Sequence, residues 1–83
     1  MNSIKYNKRK AKRFKHYSVR IDYIMQRGVY SYRKEGTGRI VAVYITGLRF
    51  KVDDCNDSIF INYTRIKNIE LAFKNRYYYK NKV

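Results

Sequence analysis

Apolar and polar residues alternate along most of this chain with a period of two, the signature of extended strands whose successive side chains point to opposite faces. The clearest stretch runs from Gly38 to Leu71. Ile40 to Ile45 is an almost unbroken apolar run, and Leu48, Phe50 and Val52 then alternate with Arg49 and Lys51. The segment Asp53-Asp54-Cys55-Asn56-Asp57 is rich in turn formers and carries no period. After it Ile59 and Ile61 alternate again, and Ile66, Ile69 and Leu71 close the pattern. Upstream, Val19, Ile21 and Tyr23 share one face, with Ser18, Arg20 and Asp22 on the other. Val29 to Lys34 reads as a second strand, Tyr30 and Tyr32 on one face and Ser31 and Arg33 on the other.

The connections follow from turn chemistry. Gln26-Arg27-Gly28 is a short turn with Gly28 as the natural site for positive φ. Glu35 to Gly38 reads as a turn, with Gly38 as a bulge that would let one long strand bend through two layers. Thr46-Gly47 suits a hairpin, and Asn62 to Arg65 suits a single helical turn that carries the chain across a small barrel. The pattern predicts a mainly-β protein, a five-stranded meander bent into a small barrel over residues 17–73, with Tyr23 in its core. A domain this short is marginal alone. Self-association, or ordering of the tails by a partner, is therefore expected.

Residues 1–16 lack that alternation. Ile4, Ala11 and Phe14 form only a thin helical stripe, and like charges face each other at i, i+4 in Lys5/Arg9, Lys8/Lys12 and Arg9/Arg13. Two readings stay open: an arm frayed until phosphates remove the repulsion, or a helix that caps one end of the barrel through Phe14. Residues 74–83 form a basic, tyrosine-rich tail whose Tyr77, Tyr78 and Tyr79 stack on bases or dock on the barrel.

Charge turns this fold into a functional expectation. The chain carries 20 basic and 6 acidic residues, a net +14. Seven of the basic residues (Lys5, Lys8, Arg9, Lys10, Lys12, Arg13 and Lys15) precede Tyr17 with no acid among them. Lys74, Arg76, Lys80 and Lys82 follow the last strand, again without an acid. A nearly neutral barrel with two cationic arms is the footprint of a polyanion binder; the plainer alternative is charge for solubility alone. Aromatic residues interleave with cations on the strands: Tyr17, Tyr23, Tyr30, Tyr32 and Phe60 lie among Arg20, Arg33, Arg39, Arg49 and Lys51. Stacking on the former and phosphate neutralisation by the latter suit RNA or single-stranded DNA.

Other chemistries find little footing. His16 and Cys55 are the single histidine and thiol; a nucleophilic pair needs them adjacent with the histidine oriented by a third group, and His16 lies at the edge of the basic arm. Asp53, Asp54 and Asp57 lack the alternating oxygen ligands and central glycine of a calcium loop, and read as a turn accepting local N–H bonds. There is no phosphate-cradling glycine loop and no zinc ligand set, so the residues support neither a cofactor nor an enzyme. The longest apolar run, Ile40 to Ile45, is far short of the ~20 residues of a membrane-spanning helix, and the basic start leads into no apolar stretch of a signal peptide. A lone cysteine fits a reducing compartment, so a cytoplasmic location is expected. The dominance of Lys, Asn, Ile, Tyr and Phe points to an A/T-rich genome.

The strings VRIDYIMQRGVYSYRKEGTGRIVAVYITGLRFKVDD and IFINYTRIKNIEL resemble the YolD-like family, small Sm-like proteins of Gram-positive bacteria and their phages. Gly28, Tyr30, Gly38, Ile40, Val43, Phe50, Val52, Asp53, Asp54, Ile59, Ile61, Tyr63, Ile66, Ile69 and Glu70 carry the resemblance. It implies an Sm-like or SH3-like barrel; the acidic N-terminal region usual in that family is replaced here by a basic arm. A weaker resemblance, through Val19-Arg20-Ile21, Gly38 and the run from Phe60 to Glu70, is to bacterial-type large-subunit ribosomal protein nineteen. The expectation is a non-enzymatic nucleic-acid-binding protein, phage or Gram-positive bacterial. The alternatives are a phage-encoded inhibitor of a host nuclease or defence ribonucleoprotein, and a ribosomal protein. The residues expected to meet nucleic acid are the seven N-terminal cations, Arg20, Tyr30, Tyr32, Arg33, Arg39, Arg49, Lys51, Lys74 and Arg76.

Overall fold

A computed structural model describes residues 5–72. Within them lie a short helix α1 (Lys8–Lys12) and five strands: β1 (Val19–Arg27), β2 (Tyr30–Val43), β3 (Gly47–Val52), β4 (Ser58–Asn62) and β5 (Ile66–Leu71). A single 3-10 turn (Tyr63–Arg65) joins β4 to β5. The strands form one antiparallel sheet in the order β4-β3-β2-β1-β5. The mainly-β reading and the strand count hold. β1 to β4 run as a meander, but β5 leaves it: the 3-10 turn carries the chain back to pair with β1, Ile21 opposite Ile69. No ladder joins β4 to β5 among the described residues, so the sheet ends in two edges.

β2 departs most from expectation. It is one continuous strand through Glu35-Gly36-Thr37-Gly38, where composition predicts a turn, because these residues pair with Asp22, Ile21, Arg20 and Val19 of β1. The bulge lies not at Gly38, which pairs regularly with Val52, but at Val41: Ile40 pairs with Phe50 and Ala42 already with Arg49. A second bulge places Lys67 between Ile66 and Asn68, and this explains the three-residue step from Ile66 to Ile69 on one buried face. Gly28 has the expected positive φ, +61°, in the β1–β2 turn.

Period-two burial follows directly. Val19, Ile21 and Tyr23 of β1, Leu48 and Phe50 of β3, and Ile61, Ile66 and Ile69 point into one core with Ile40 and Tyr63. Fully burying side chains such as Phe50 or Leu48 contributes ~1.5–3 kcal/mol each.

The N-terminal arm completes that core. Asn7 caps α1, its side-chain oxygen accepting from the Lys10 N–H at 2.9 Å. Tyr6 and Ala11 are buried, Phe14 is partly so, and α1 packs on β2 and β3. The Tyr6 hydroxyl accepts from the Ile69 N–H at 2.9 Å and donates to Asn68 Oδ1 at 3.2 Å. β5 is an edge strand whose alternate N–H groups face away from β1 without a ladder partner; Tyr6 supplies one. Over residues 5–16 the structure follows the reading of a helix that packs on the sheet, anchored by Tyr6, Ala11 and Phe14, while Ile4 of the predicted stripe lies outside the described residues.

Candidate nucleic-acid interface

The pleat that buries the core turns the alternate positions outward. On β1, Arg20, Asp22 and Ile24 face out; on β2, Thr37 and Arg39; on β3, Arg49 and Lys51; on β4, Ser58, Phe60 and Asn62. Register then decides which charges meet. Arg20 stands opposite Glu70 of β5, and its guanidinium Nε donates to Glu70 Oε2 at 3.1 Å. Arg33 reaches diagonally across β1 and β2 to Asp22, Nε donating to Oδ1 at 2.8 Å, with the terminal Arg33 amine on Oδ2 as well. Those hydrogen bonds from Arg33 hold the Asp22 carboxyl below its ordinary range and raise the Arg33 guanidinium. Two of the arginines expected to meet phosphate, Arg20 and Arg33, are thus engaged by carboxylates of their own sheet.

The β2–β3 part of the same surface differs. Arg39 is the direct cross-strand partner of Lys51, and Arg49 stands two residues along β3, about 7 Å away, opposite Phe60. Like charges placed directly opposite destabilise a sheet. Arg39, Arg49 and Lys51 make no side-chain hydrogen bond or ion pair among the described residues. The structure therefore brings three of the expected cations into one strip without a counter-charge. Phe60 and Tyr44 border it: their ring centroids lie 6.0 Å apart, tilted by 46°.

The remaining expected residues fall elsewhere. Lys8, Arg9, Lys12, Arg13 and Lys15 are exposed on or just after α1 and bond to no carboxylate among the described residues. Lys5 donates through Nζ to the Lys67 carbonyl at 3.3 Å, and Lys10 to the Lys5 carbonyl at 3.1 Å, both backbone acceptors. Tyr30, 75% exposed, and Tyr32 lie on the β1–β2 hairpin where it extends past the core. Lys74 and Arg76, with Tyr77 to Tyr79, lie outside the described residues.

Sequence reasoning missed Tyr44. The almost unbroken apolar run Ile40 to Ile45 carries no alternation to mark its outward residues, yet a sheet with one packed face must turn some of it outward. The bulge at Val41 sends Val43 in against Leu48, while Val41, Tyr44 and Ile45 are exposed. A continuous apolar run on a chain that elsewhere alternates strictly was the available signal.

Away from the strip, a cleft of about 600 Å³ opens between Tyr23 and Gly36 on one side and Val52 and Ile59 on the other. Cys55 and Asp57 stand at its rim, and no residue of the cationic strip lines it. Among the described residues no cluster of three or more His, Cys, Asp or Glu side chains is placed to hold a metal ion, and no helix is long and apolar enough to cross a membrane. Comparison of the chain with protein-family models, with curated proteins and with solved structures returned no match.

Proposed function

We propose that this chain is a non-enzymatic nucleic-acid-binding protein that holds the sugar-phosphate backbone on the outer surface of β2 and β3. The observation that carries the reading is the strip Arg39–Lys51–Arg49, in which two cations face each other across a ladder with no acid between them. Such a pairing lowers the stability of the isolated sheet and becomes favourable once an anion lies over it. The exposed cations of α1 lie on the other, core-packed side of these strands and add only to the long-range positive potential that attracts a polyanion. In this reading the strand order, with a 3-10 turn leading from one edge to the other, belongs to a small Sm-like or SH3-like barrel whose edges curl toward each other without pairing.

Salt dependence tests it. The logarithm of affinity for a single-stranded oligonucleotide should fall linearly with the logarithm of salt concentration. The combined substitution Arg39→Gln, Arg49→Gln and Lys51→Gln should flatten that slope by about 2, since each phosphate left without its cation removes roughly 0.7. A slope unaltered by the triple variant, or affinity indifferent to salt, refutes the proposal.

A further inference from the structure

We infer that Tyr44 and Phe60 form a base-stacking step at the end of the cationic strip, so that the nucleic acid taken by this surface is single-stranded. The inference rests on the nucleic-acid reading and narrows it. Its first ground is that both rings are held in place without being covered. The Tyr44 backbone is pinned on both sides, its N–H donating to the Gly47 carbonyl at 2.8 Å and its carbonyl accepting from the Tyr63 hydroxyl at 2.6 Å. Phe60 sits within the β4 ladder, and its ring lies over Gly47, where an added Cβ would come within 2.6 Å of Phe60 Cζ. Yet Tyr44 remains 44% and Phe60 48% exposed. An aromatic pair that only plugged a gap would hide most of its surface, as Tyr23 and Phe50 do in the core.

The second ground is position. Arg49 is the cross-strand partner of Phe60, Lys51 lies two residues further along β3 opposite Ser58, and Arg39 faces Lys51. Rings and cations therefore form one continuous line across β2, β3 and β4. A strand laid along it places phosphates over the cations and unpaired bases against the rings. In a duplex the base faces are already stacked on one another, so the rings gain nothing and only the charge term remains.

The test uses the full chain and four labelled probes: a thymidylate 12-mer, a uridylate 12-mer, an abasic deoxyribose-phosphate 12-mer, and a hairpin duplex with as many phosphates. The wild-type protein should bind the first two more tightly than the abasic strand by roughly 5- to 150-fold, the range for one stacked base. Phe60→Leu, which keeps apolar contact with Tyr44, should bind thymidylate about as weakly as abasic strand while its salt slope stays that of wild type. Tyr44→Leu should act in the same direction from the neighbouring loop. Comparable thymidylate and uridylate affinities fit stacking; a wide gap between them assigns recognition to the sugar or base edge and overturns the inference. So does wild-type protein that binds the abasic strand or the duplex as tightly as thymidylate, a result that needs no variant and leaves the broader reading standing. Failure to bind any of the four probes removes the nucleic-acid reading itself.

Discussion

The outward surface of this sheet has two halves built from the same residue types and put to different use. On the side toward β5, Arg20 of β1 and Arg33 of β2 find Glu70 and Asp22 through register and a diagonal reach. On the β2–β3 side, Arg39, Arg49 and Lys51 find each other and an aromatic edge. The first half consumes its charge internally, while the second leaves it without a carboxylate among the described residues. Composition cannot distinguish them, because an arginine beside a carboxylate and an arginine beside a lysine count alike in a net charge. Ladder pairing makes the difference.

The largest expected effect comes from reversing charge on one half at a time. Arg39→Glu, Arg49→Glu and Lys51→Glu together should weaken oligonucleotide binding on the order of 100-fold or more at low salt, where phosphate neutralisation carries much of the affinity. Exchanging Arg20 and Glu70 for one another should change it by no more than about twofold, because the pair's net charge stays the same. Equal losses from both would show that the halves do not differ. Titration by fluorescence anisotropy measures each.

Stability should respond where binding does not. Tyr6→Phe keeps the ring but leaves the buried Ile69 N–H without its acceptor, which should cost ~1–3 kcal/mol in urea denaturation. Well below the melting temperature its affinity should match wild type, because the strip stands on β2 and β3. A matching drop in affinity would mean that arm and strip act as one surface.

Lys51→Glu sets the two properties against each other. A glutamate opposite Arg39 makes the kind of pair found on the other half and should stabilise the sheet by ~0.2–1 kcal/mol while weakening binding. Glu70→Lys should destabilise by a similar amount.

The smallest effect is at acid pH. Arg33 holds the Asp22 carboxyl below its ordinary value of 3.8. A carboxyl depressed in the folded state contributes stability above its unfolded value and loses it as pH falls through the folded one. Thermal melts of wild type and Asp22→Asn should differ near neutrality and converge as pH falls below the ordinary carboxyl value of 3.8 and through the lowered folded one. No convergence would mean that the pair contributes nothing specific.

Much of the fold was legible because period two survives wherever one face is packed. Val19, Ile21, Tyr23, Leu48, Phe50 and Ile61 lie where alternation puts them. What misled was local chemistry overruled by pairing. Glu35 to Gly38 has the composition of a turn, but β1 offers partners along its length and the extended chain wins. The arm was harder still. Its repulsive i, i+4 charges argue against a helix in isolation, and what holds it is Tyr6, whose partner is 63 residues away. The candidate cations were all visible as cations. Which of them would be neutralised was not, since Asp22–Arg33 and Arg20–Glu70 depend on a register that no single segment encodes.

The Tyr6–Ile69 bond also bears on how the molecule assembles. During synthesis, which proceeds from the N-terminus, β1 to β4 can fold back on one another as successive hairpins while the arm still lacks its dock. Only when the strand bearing Ile69 emerges can β5 add beside β1 and offer its N–H to the phenol. The final event is therefore a large ring closure that joins the beginning of the described chain to its end, an entropically slow kind of contact. Nascent chains stopped short of β5 should keep an exposed apolar face and be the species most in need of a chaperone.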